Sequence, residues 1–260
     1  MDGLSLFIIT KEDNMKNSRP IIAIVSCHKM VDGQPAQAVY QKYIDAVNFY
    51  GGNPILLPNT AADSENFDAL LEMADGILLT GSYSNVAPTR YGATHVEAKQ
   101  DLGRDELSFK LLAYADERNM PLLAVCRGLQ EMNVHFNGTL HPDWREVDGF
   151  YEPHLEDNTQ PLEVQYQPVH DVIIHPEGRL AAFGKKWHVN SLHKQAIYKV
   201  GARLLVEASA PDGLVEAISL LQHPFMIGVQ WHPELNYVQD NLSKFLFTEF
   251  IHHAREPQTE

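Results

Sequence analysis

The run Ile21-Ile22-Ala23-Ile24-Val25 is apolar at every position and rich in β-branched side chains, the pattern of a strand buried on both faces of a parallel sheet. The period then changes. Val39, Tyr43, Ala46, Val47 and Tyr50 recur at helical spacing, and Gly51-Gly52 stops that helix where a left-handed cap is needed. Ile55-Leu56-Leu57 ends on Pro58, Phe67 to Met73 reads as a short helix, and Gly76-Ile77-Leu78-Leu79 reads as a third apolar strand. Leu107, Leu111, Tyr114 and Ala115 share one face of a helix starting near Arg104, and Pro121 introduces the strand Leu122-Leu123-Ala124-Val125. Strand and helix alternate, which predicts β/α crossovers and a single three-layer α/β domain.

Residues 139–168, rich in His, Pro, Asp and Glu, carry no sustained period. A stretch of that length without structure is uncommon inside a domain and points to a functional loop or lid. Short strands follow at Val172 to Ile174, Arg203 to Ala208, Leu214 to Leu220 and Phe225 to Gln230. Leu242, Phe245, Leu246 and Phe250 then mark a closing helix. The first clear strand follows Pro20, so residues 1–19 read as an N-terminal extension and 20–254 as one domain. The apolar run Ser5 to Ile9 is too short for a signal-peptide core or a membrane span.

Composition narrows the function classes. With 44% hydrophobic and 21% charged residues the 260-residue chain is an ordinary folding sequence. Twenty Lys and Arg against 34 Asp and Glu leave a formal charge of −14, which argues against nucleic acid and anionic membrane as partners. A small molecule is the expected partner, and a homo-oligomer is compatible with the composition. Cys27 and Cys126 lie far apart with no C-x-x-C spacing, so no disulfide scaffold is indicated and a reducing cytoplasm is the default location.

The chemistry concentrates at Cys126. In Leu122-Leu123-Ala124-Val125-Cys126-Arg127-Gly128-Leu129-Gln130 a buried strand meets a helix at the cysteine, with small residues two before and two after. Such a nucleophile elbow tolerates little bulk, exposes the nucleophile above the sheet edge and aims the next backbone N–H at a reacting carbonyl. The helix N-terminus also favours a thiolate. The competing reading is a buried structural cysteine, which is the reading preferred for Cys27, where the small-residue frame is missing.

A base for that thiol comes from one of two His-Pro-Glu triplets. In each, proline pushes the histidine out of the helical region, and a carboxylate two residues on can orient the ring. His232-Pro233-Glu234 follows a long buried strand and is preferred; His175-Pro176-Glu177 runs into Gly178 and resembles a surface turn. Thr80-Gly81-Ser82 lets the backbone approach a ligand closely, as an oxyanion donor must, although an ordinary turn has the same look. His170 with His175 and His188 with His193 are five apart, not the four that aligns ligands on one helix turn. No metal site and no cofactor are therefore expected.

Thr80-Gly81-Ser82, the Cys126 elbow and Gly228-Val229-Gln230-Trp231-His232-Pro233-Glu234, in this order and separation, resemble the class I glutamine amidotransferase superfamily, peptidase C26 type. Gly103-Arg104-Asp105, Ser84-Asn85-Val86, Val189-Asn190-Ser191-Leu192-His193, Ser209 to Ala217 and His223-Pro224-Phe225 make the chain similar to its γ-glutamyl-γ-aminobutyrate hydrolase group, across residues 20 to 252. The resemblance implies a flavodoxin-like α/β/α sandwich with a mostly parallel central sheet. It also implies cleavage of a γ-glutamyl amide in polyamine catabolism, with Cys126 as nucleophile, His232 as base and then acid, and Glu234 orienting the imidazole. Gly81, Ser82 and Arg127 would supply oxyanion contacts, and Gln130, Asn190, Ser191 and His193 would face the glutamyl head. Thr80 and Tyr83 depart from the group's usual loop, and Ala124 replaces a common glycine. Two other functions share this resemblance: a glutaminase subunit feeding ammonia to a separate synthetase, and a catalytically silent binding domain.

Overall fold

A computed structural model describes residues 19–157 and 159–256. The extension expected over 1–19 therefore lies, apart from Arg19, outside the described residues. In chain order the elements are β1 (Ile21–Val25), β2 (Cys27–Val31), β3 (Gln34–Ala38), α1 (Gln41–Phe49), β4 (Asn53–Leu57), α2 (Phe67–Leu71), β5 (Gly76–Leu79), α3 (Leu102–Arg118), β6 (Leu122–Val125) and α4 (Arg127–His135). They continue with β7 (Thr139–His141), α5 (Leu162–Gln165), β8 (His170–Ile174), β9 (Lys186–Val189), β10 (Ala196–Lys199), β11 (Leu204–Ser209), β12 (Val215–Leu220), β13 (Met226–Val229) and α6 (Asn241–Arg255).

The main sheet runs β4-β1-β5-β6-β13-β12-β11-β8-β9. Its first five strands are parallel, and β12, β11, β8 and β9 then alternate in direction. The period of two along each central strand explains the layers. Ile22, Ile24, Leu78, Leu123, Val125, Ile227 and Val229 point to the side covered by Tyr43, Ala46 and Val47 of α1 and Leu242, Leu246 and Phe250 of α6. Ala23, Val25, Ile77, Leu79, Leu122 and Ala124 point to the side covered by Leu107, Leu111 and Ala115 of α3 and Leu129 and Met132 of α4. Both faces are dry, so these strands show no polar alternation in sequence.

Several elements differ from the sequence expectation. Cys27 opens β2, a strand the apolar pattern did not mark, which pairs antiparallel with β3 as a separate and largely exposed hairpin. Val39 and Tyr50 flank α1 rather than lie in it, and α2 stops at Leu71. Asp101, accepting from the backbone N–H of Arg104 at 3.0 Å, starts α3 two residues earlier than its apolar face suggested. Residues 139–168 are not uniformly irregular: β7 pairs with β10 and extends the sheet, and α5 adds a single helical turn. β9 and β10 were missed because their short, partly exposed runs carry little apolar period.

The elbow itself depends on close packing. A Cβ added to Gly128 would lie 2.6 Å from the carbonyl oxygen of Leu79, so α4 is seated directly on β5. Gly128→Ala is expected to destabilise the fold by about 1–3 kcal/mol through overpacking. The measurement is the urea midpoint at unchanged m-value; an unaltered midpoint would mean that α4 has room to move away from the sheet.

Candidate active site

β6 and β13 are adjacent and parallel, in register from Met226 opposite Leu122 to Val229 opposite Val125. Their carboxyl ends therefore reach the same edge of the sheet, one delivering Cys126 and the other Trp231-His232. The Cys126 N–H donates to Val229 O at 2.8 Å, which locks the two exits together. Cys126 has φ +52° and ψ −103°, a strained conformation for a residue with a side chain, as a nucleophile elbow requires.

His232 Nδ1 donates to Glu234 Oε1 at 2.6 Å, and the imidazole is only 15% exposed. Burial opposes the charged ring, but Glu234 and then the Cys126 sulfur outweigh it, and the His232 pKa is raised well above its ordinary value. The imidazolium form is thus favoured beside the thiol. Asn190 brackets the same residue from behind: its Nδ2 donates to His232 O at 3.0 Å, and its Oδ1 accepts from His232 N at 2.8 Å.

Tyr43 is a member of the site that sequence reasoning assigned only to a core face. Its buried hydroxyl accepts from the Gly81 N–H at 2.8 Å and lies 3.4 Å from His232 Nδ1. Burial, followed by the nearby Glu234 carboxylate, raises its pKa well above that of a free phenol, so it stays protonated. The signal available in sequence was a tyrosine at a buried helical position, whose hydroxyl needs a partner.

Gly81 was expected among the oxyanion donors, but its N–H is already given to Tyr43. Its contribution is the absent side chain, since a Cβ would lie 2.7 Å from His232 Cε1 and 2.9 Å from the Tyr43 hydroxyl. The N–H groups of Ser82 and Arg127 donate to no other protein group among the described residues and remain free for an oxyanion. The Arg127 guanidinium, by contrast, is fully occupied by Asp105 (2.7 Å), Glu131 and the carbonyl of Ser84 (3.0 Å). Arg104, with no exposed surface, bonds Glu131, both oxygens of Thr80, and Cys27 Sγ at 3.0 Å. Cys27 is therefore a buried partner of Arg104.

Two confluent cavities flank the Cys126–His232 pair. One, of about 500 Å³, is lined by Cys126, Gln130, Lys99, Arg145, Glu156 and His193, among others. The second, of about 520 Å³, is lined by His232, Tyr40, Lys42, Tyr43, Leu162 and Tyr166. Ser82, Tyr83, Glu156 and Leu192 border both. Gln130 Nε2 donates to Gln195 O at 2.8 Å and so holds its amide in a set orientation at the first cavity. Asn190 and Ser191 were expected to face the substrate. Asn190 uses both ends of its amide on the His232 backbone, and the Ser191 hydroxyl donates to His154 O at 3.0 Å. His193 reaches the first cavity, but its Nδ1 is bonded to Gln195 O at 2.9 Å and its Nε2 turns toward Glu216.

The other triplet lies elsewhere. β8 runs opposite to β13, so its carboxyl end, carrying His175, heads for the opposite edge of the sheet, and His175 Nε2 meets only Ser209 Oγ at 3.3 Å.

The sequence pattern of the peptidase C26 family matches residues 20–234. The chain belongs to the peptidase C26 family. It is 44% identical over 253 residues to the γ-glutamyl-γ-aminobutyrate hydrolase PuuD of Escherichia coli K12, covering 95% of this chain and 99% of that protein. The γ-glutamyl-γ-aminobutyrate hydrolase of Shigella flexneri is 43% identical over the same shares. Protein NtpR of Enterococcus hirae is 32% identical over 81% of this chain and 87% of its own. In fold the C26 chain is similar to a Thermoplasma acidophilum protein described as a GMP synthase subunit, with TM-score 0.61 and 17% identity over 92% of this chain and 95% of that one. That likeness is one of α/β fold alone. C26 proteins are hydrolases, and so is this chain.

The raised His232 pKa gives a pH prediction. Because the folded-state value lies above the unfolded one, the contribution of the charged ring to stability is complete below about 6.5 and is lost as pH rises through the raised value. In Glu234→Gln the leading upward influence is gone. The His232 Cε1–H NMR resonance is expected to titrate at a lower pH in that variant than in the wild type; titration at the same pH would remove Glu234 as the cause.

Proposed function

We propose that the chain hydrolyses the γ-glutamyl amide bond of γ-glutamyl-γ-aminobutyrate, giving glutamate and the free amine, as a step of polyamine catabolism in the cytoplasm. The observation that carries this reading is the position of Cys126 and His232 where two cavities of similar size meet. A glutaminase releasing ammonia has no use for the second cavity. An amide with a large leaving amine fills it.

The Cys126 thiolate adds to the amide carbonyl, whose oxygen takes up negative charge opposite the N–H groups of Ser82 and Arg127. Collapse breaks the C–N bond, and the imidazolium of His232 gives its proton to the departing nitrogen. The neutral imidazole then takes a proton from water as it attacks the γ-glutamyl thioester, and the thiolate leaves to restore the pair. Glu234 holds the ring in orientation, and the Tyr43 hydroxyl sits 3.4 Å from the same Nδ1. The first cavity, with Gln130 and the charged Lys99, Arg145 and Glu156, suits the α-amino acid head. The second faces His232, the group that must protonate the leaving amine. Lys42 there makes no ion pair among the described residues and suits an amine that carries a carboxylate. The free state of both cysteines is in keeping with a reducing compartment. Among the described residues no helix is long and apolar enough to cross a membrane.

Cys126→Ala is expected to abolish hydrolysis while Cys27→Ala retains it. His232→Ala should lower kcat by several orders of magnitude, Glu234→Gln by less, and His175→Ala hardly at all. Steady-state assays on variants checked for folding by circular dichroism decide the order, and an active His232→Ala beside an inactive His175→Ala would reverse it. With wild-type enzyme, kcat/KM for γ-glutamyl-γ-aminobutyrate should greatly exceed that for glutamine. Equal values would favour the reading in which the chain feeds ammonia to a synthetase.

A further inference from the structure

Behind the wall of the first cavity lies a group of side chains with no part in the proposed hydrolysis. His154 from the segment after β7, His170 at the start of β8, His193 after β9, and Glu216 on β12 converge on one point, each without exposed surface or nearly so. Glu216 Oε1 is 3.1 Å from His154 Nδ1, 3.6 Å from His193 Nε2 and 3.8 Å from His170 Nε2. The ligand atoms of His154, His193 and Glu216 all lie within 4.8 Å of one another.

We infer that these four side chains form a binding site for a tetrahedral divalent transition-metal ion, zinc by preference, that fastens the outer wall of the catalytic cleft to the sheet. The tautomers carry the argument. The outer nitrogen of His170 faces the carbonyl of Asp171 at 3.1 Å, and that of His193 faces the carbonyl of Gln195 at 2.9 Å. A carbonyl only accepts, so both outer nitrogens carry the hydrogen, and in the neutral rings the inner nitrogens are bare lone pairs. His154 Nε2 is matched in the same way to the Asp212 carboxylate at 3.0 Å. Three acceptors therefore surround a carboxylate, itself an acceptor. The inner nitrogens of all three histidines and both oxygens of Glu216 make no hydrogen bond, although all are buried. Even His154 Nδ1, at 3.1 Å, is not aligned to donate.

One proton cannot satisfy three rings and a carboxylate at once, whereas one cation at their centre satisfies all four. Two ligands of a tetrahedral zinc, each at about 2.0–2.1 Å, are about 3.3–3.4 Å apart, close to the spacings around Glu216 Oε1. Imidazole nitrogen suits zinc among available divalent ions. The carboxylates of Glu216 and Asp212 balance its two charges, and hydrogen-bonded outer nitrogens are the usual support of metal-ligating histidines. All four positions are taken by protein, which makes the site structural rather than catalytic.

Its consequence reaches the cleft through His154. The Ser191 hydroxyl and the His193 N–H both donate to His154 O, and the next two residues, Leu155 and Glu156, line the first cavity. Spacing within single segments could not reveal this site, because its four members come from four separate stretches of chain.

The test uses the full chain, stripped with a chelator and then titrated with Zn2+ or Co2+ alone. One equivalent of Zn2+ per chain should bind and raise Tm by several degrees, and Co2+ should give the intense visible absorption of tetrahedral coordination. His170→Ala with Glu216→Gln should lose both the equivalent and the absorption. Wild-type chain that takes up no equivalent, shows only the weak absorption of octahedral Co2+ and keeps its Tm would overturn the site, whether or not the double variant folds. These readouts do not depend on the substrate. In the proposed hydrolysis, metal removal should raise KM at least tenfold while changing kcat much less, since Leu155 and Glu156 bind rather than react.

Discussion

Two arginines shut away from solvent hold the site in place. Arg104 on α3 and Arg127 at the start of α4 alternate with the carboxylates of Asp105 and Glu131, two positive charges against two negative. Removing such ions from water costs several kcal/mol each, so the cluster is tolerable only with every fork occupied. The leftover donors are occupied by the backbone of one loop: Arg104 reaches the Thr80 carbonyl at 2.6 Å, and Arg127 reaches those of Ser84 and Asn85 at 3.0 and 3.3 Å. Apolar side chains of the same size would join α3 to α4 as well. They could not seize the carbonyls of residues 80–85, a loop with little regular structure that in the proposed hydrolysis presents the Ser82 N–H to the reacting oxygen.

The same logic explains why the nucleophile can sit in a strained conformation. A positive φ at Cys126 costs about 1–3 kcal/mol, and it persists because the residues on both sides are overdetermined. Before it, β6 is paired on both edges by β5 and β13. After it, Arg127 is anchored in the charge cluster and Gly128 rests against Leu79. The chain has no other route between the two, so the thiol stands above the sheet edge. Beyond the end of the neighbouring strand the Asn190 amide brackets the backbone of His232, and the Tyr43 hydroxyl sits between the Gly81 N–H and His232 Nδ1. The catalytic side chains are held by their neighbours' backbones more than by their own packing.

How much of this was legible in the sequence follows from which residues are read by a local rule. The elbow is local, since Ala124, Cys126 and Gly128 declare it within five positions. The apolar runs of β1, β5 and β6 are equally plain because both of their faces are dry. The choice of His232 over His175 leaned on strand length, which the structure does not support, since β13 has four residues and β8 five; the reason the structure supplies is direction, which periodicity does not encode. The roles of Tyr43, Asn190 and the His154 cluster were hidden because their partners lie 23 or more positions away, although Asn190 itself was named as a site residue. Strand β7 was hidden because its three residues find their partner only in β10, itself a short run 55 or more positions further along the chain. Arg104-Asp105 stood out only through resemblance; nothing in their immediate surroundings announces that both are buried.

That division also separates the chemistry from the choice of substrate. Cys126 is the single residue between β6 and α4, and His232 and Glu234 follow within five residues of the end of β13, so in the proposed hydrolysis their spacing is set by the sheet. The cavity facing His232 is built from Tyr40 and Lys42 at the entrance to α1 and from Leu162 and Tyr166 at the single turn of α5, none of which takes part in the sheet. Residues on such segments can change without moving the strand ends. In the proposed hydrolysis the leaving amine is therefore selected by a wall that the catalytic frame does not constrain. A cysteine paired with a histidine could be read from the frame and the γ-glutamyl amide from the resemblance, while the proposed fit of the amine depends on side chains that only folding brings opposite His232.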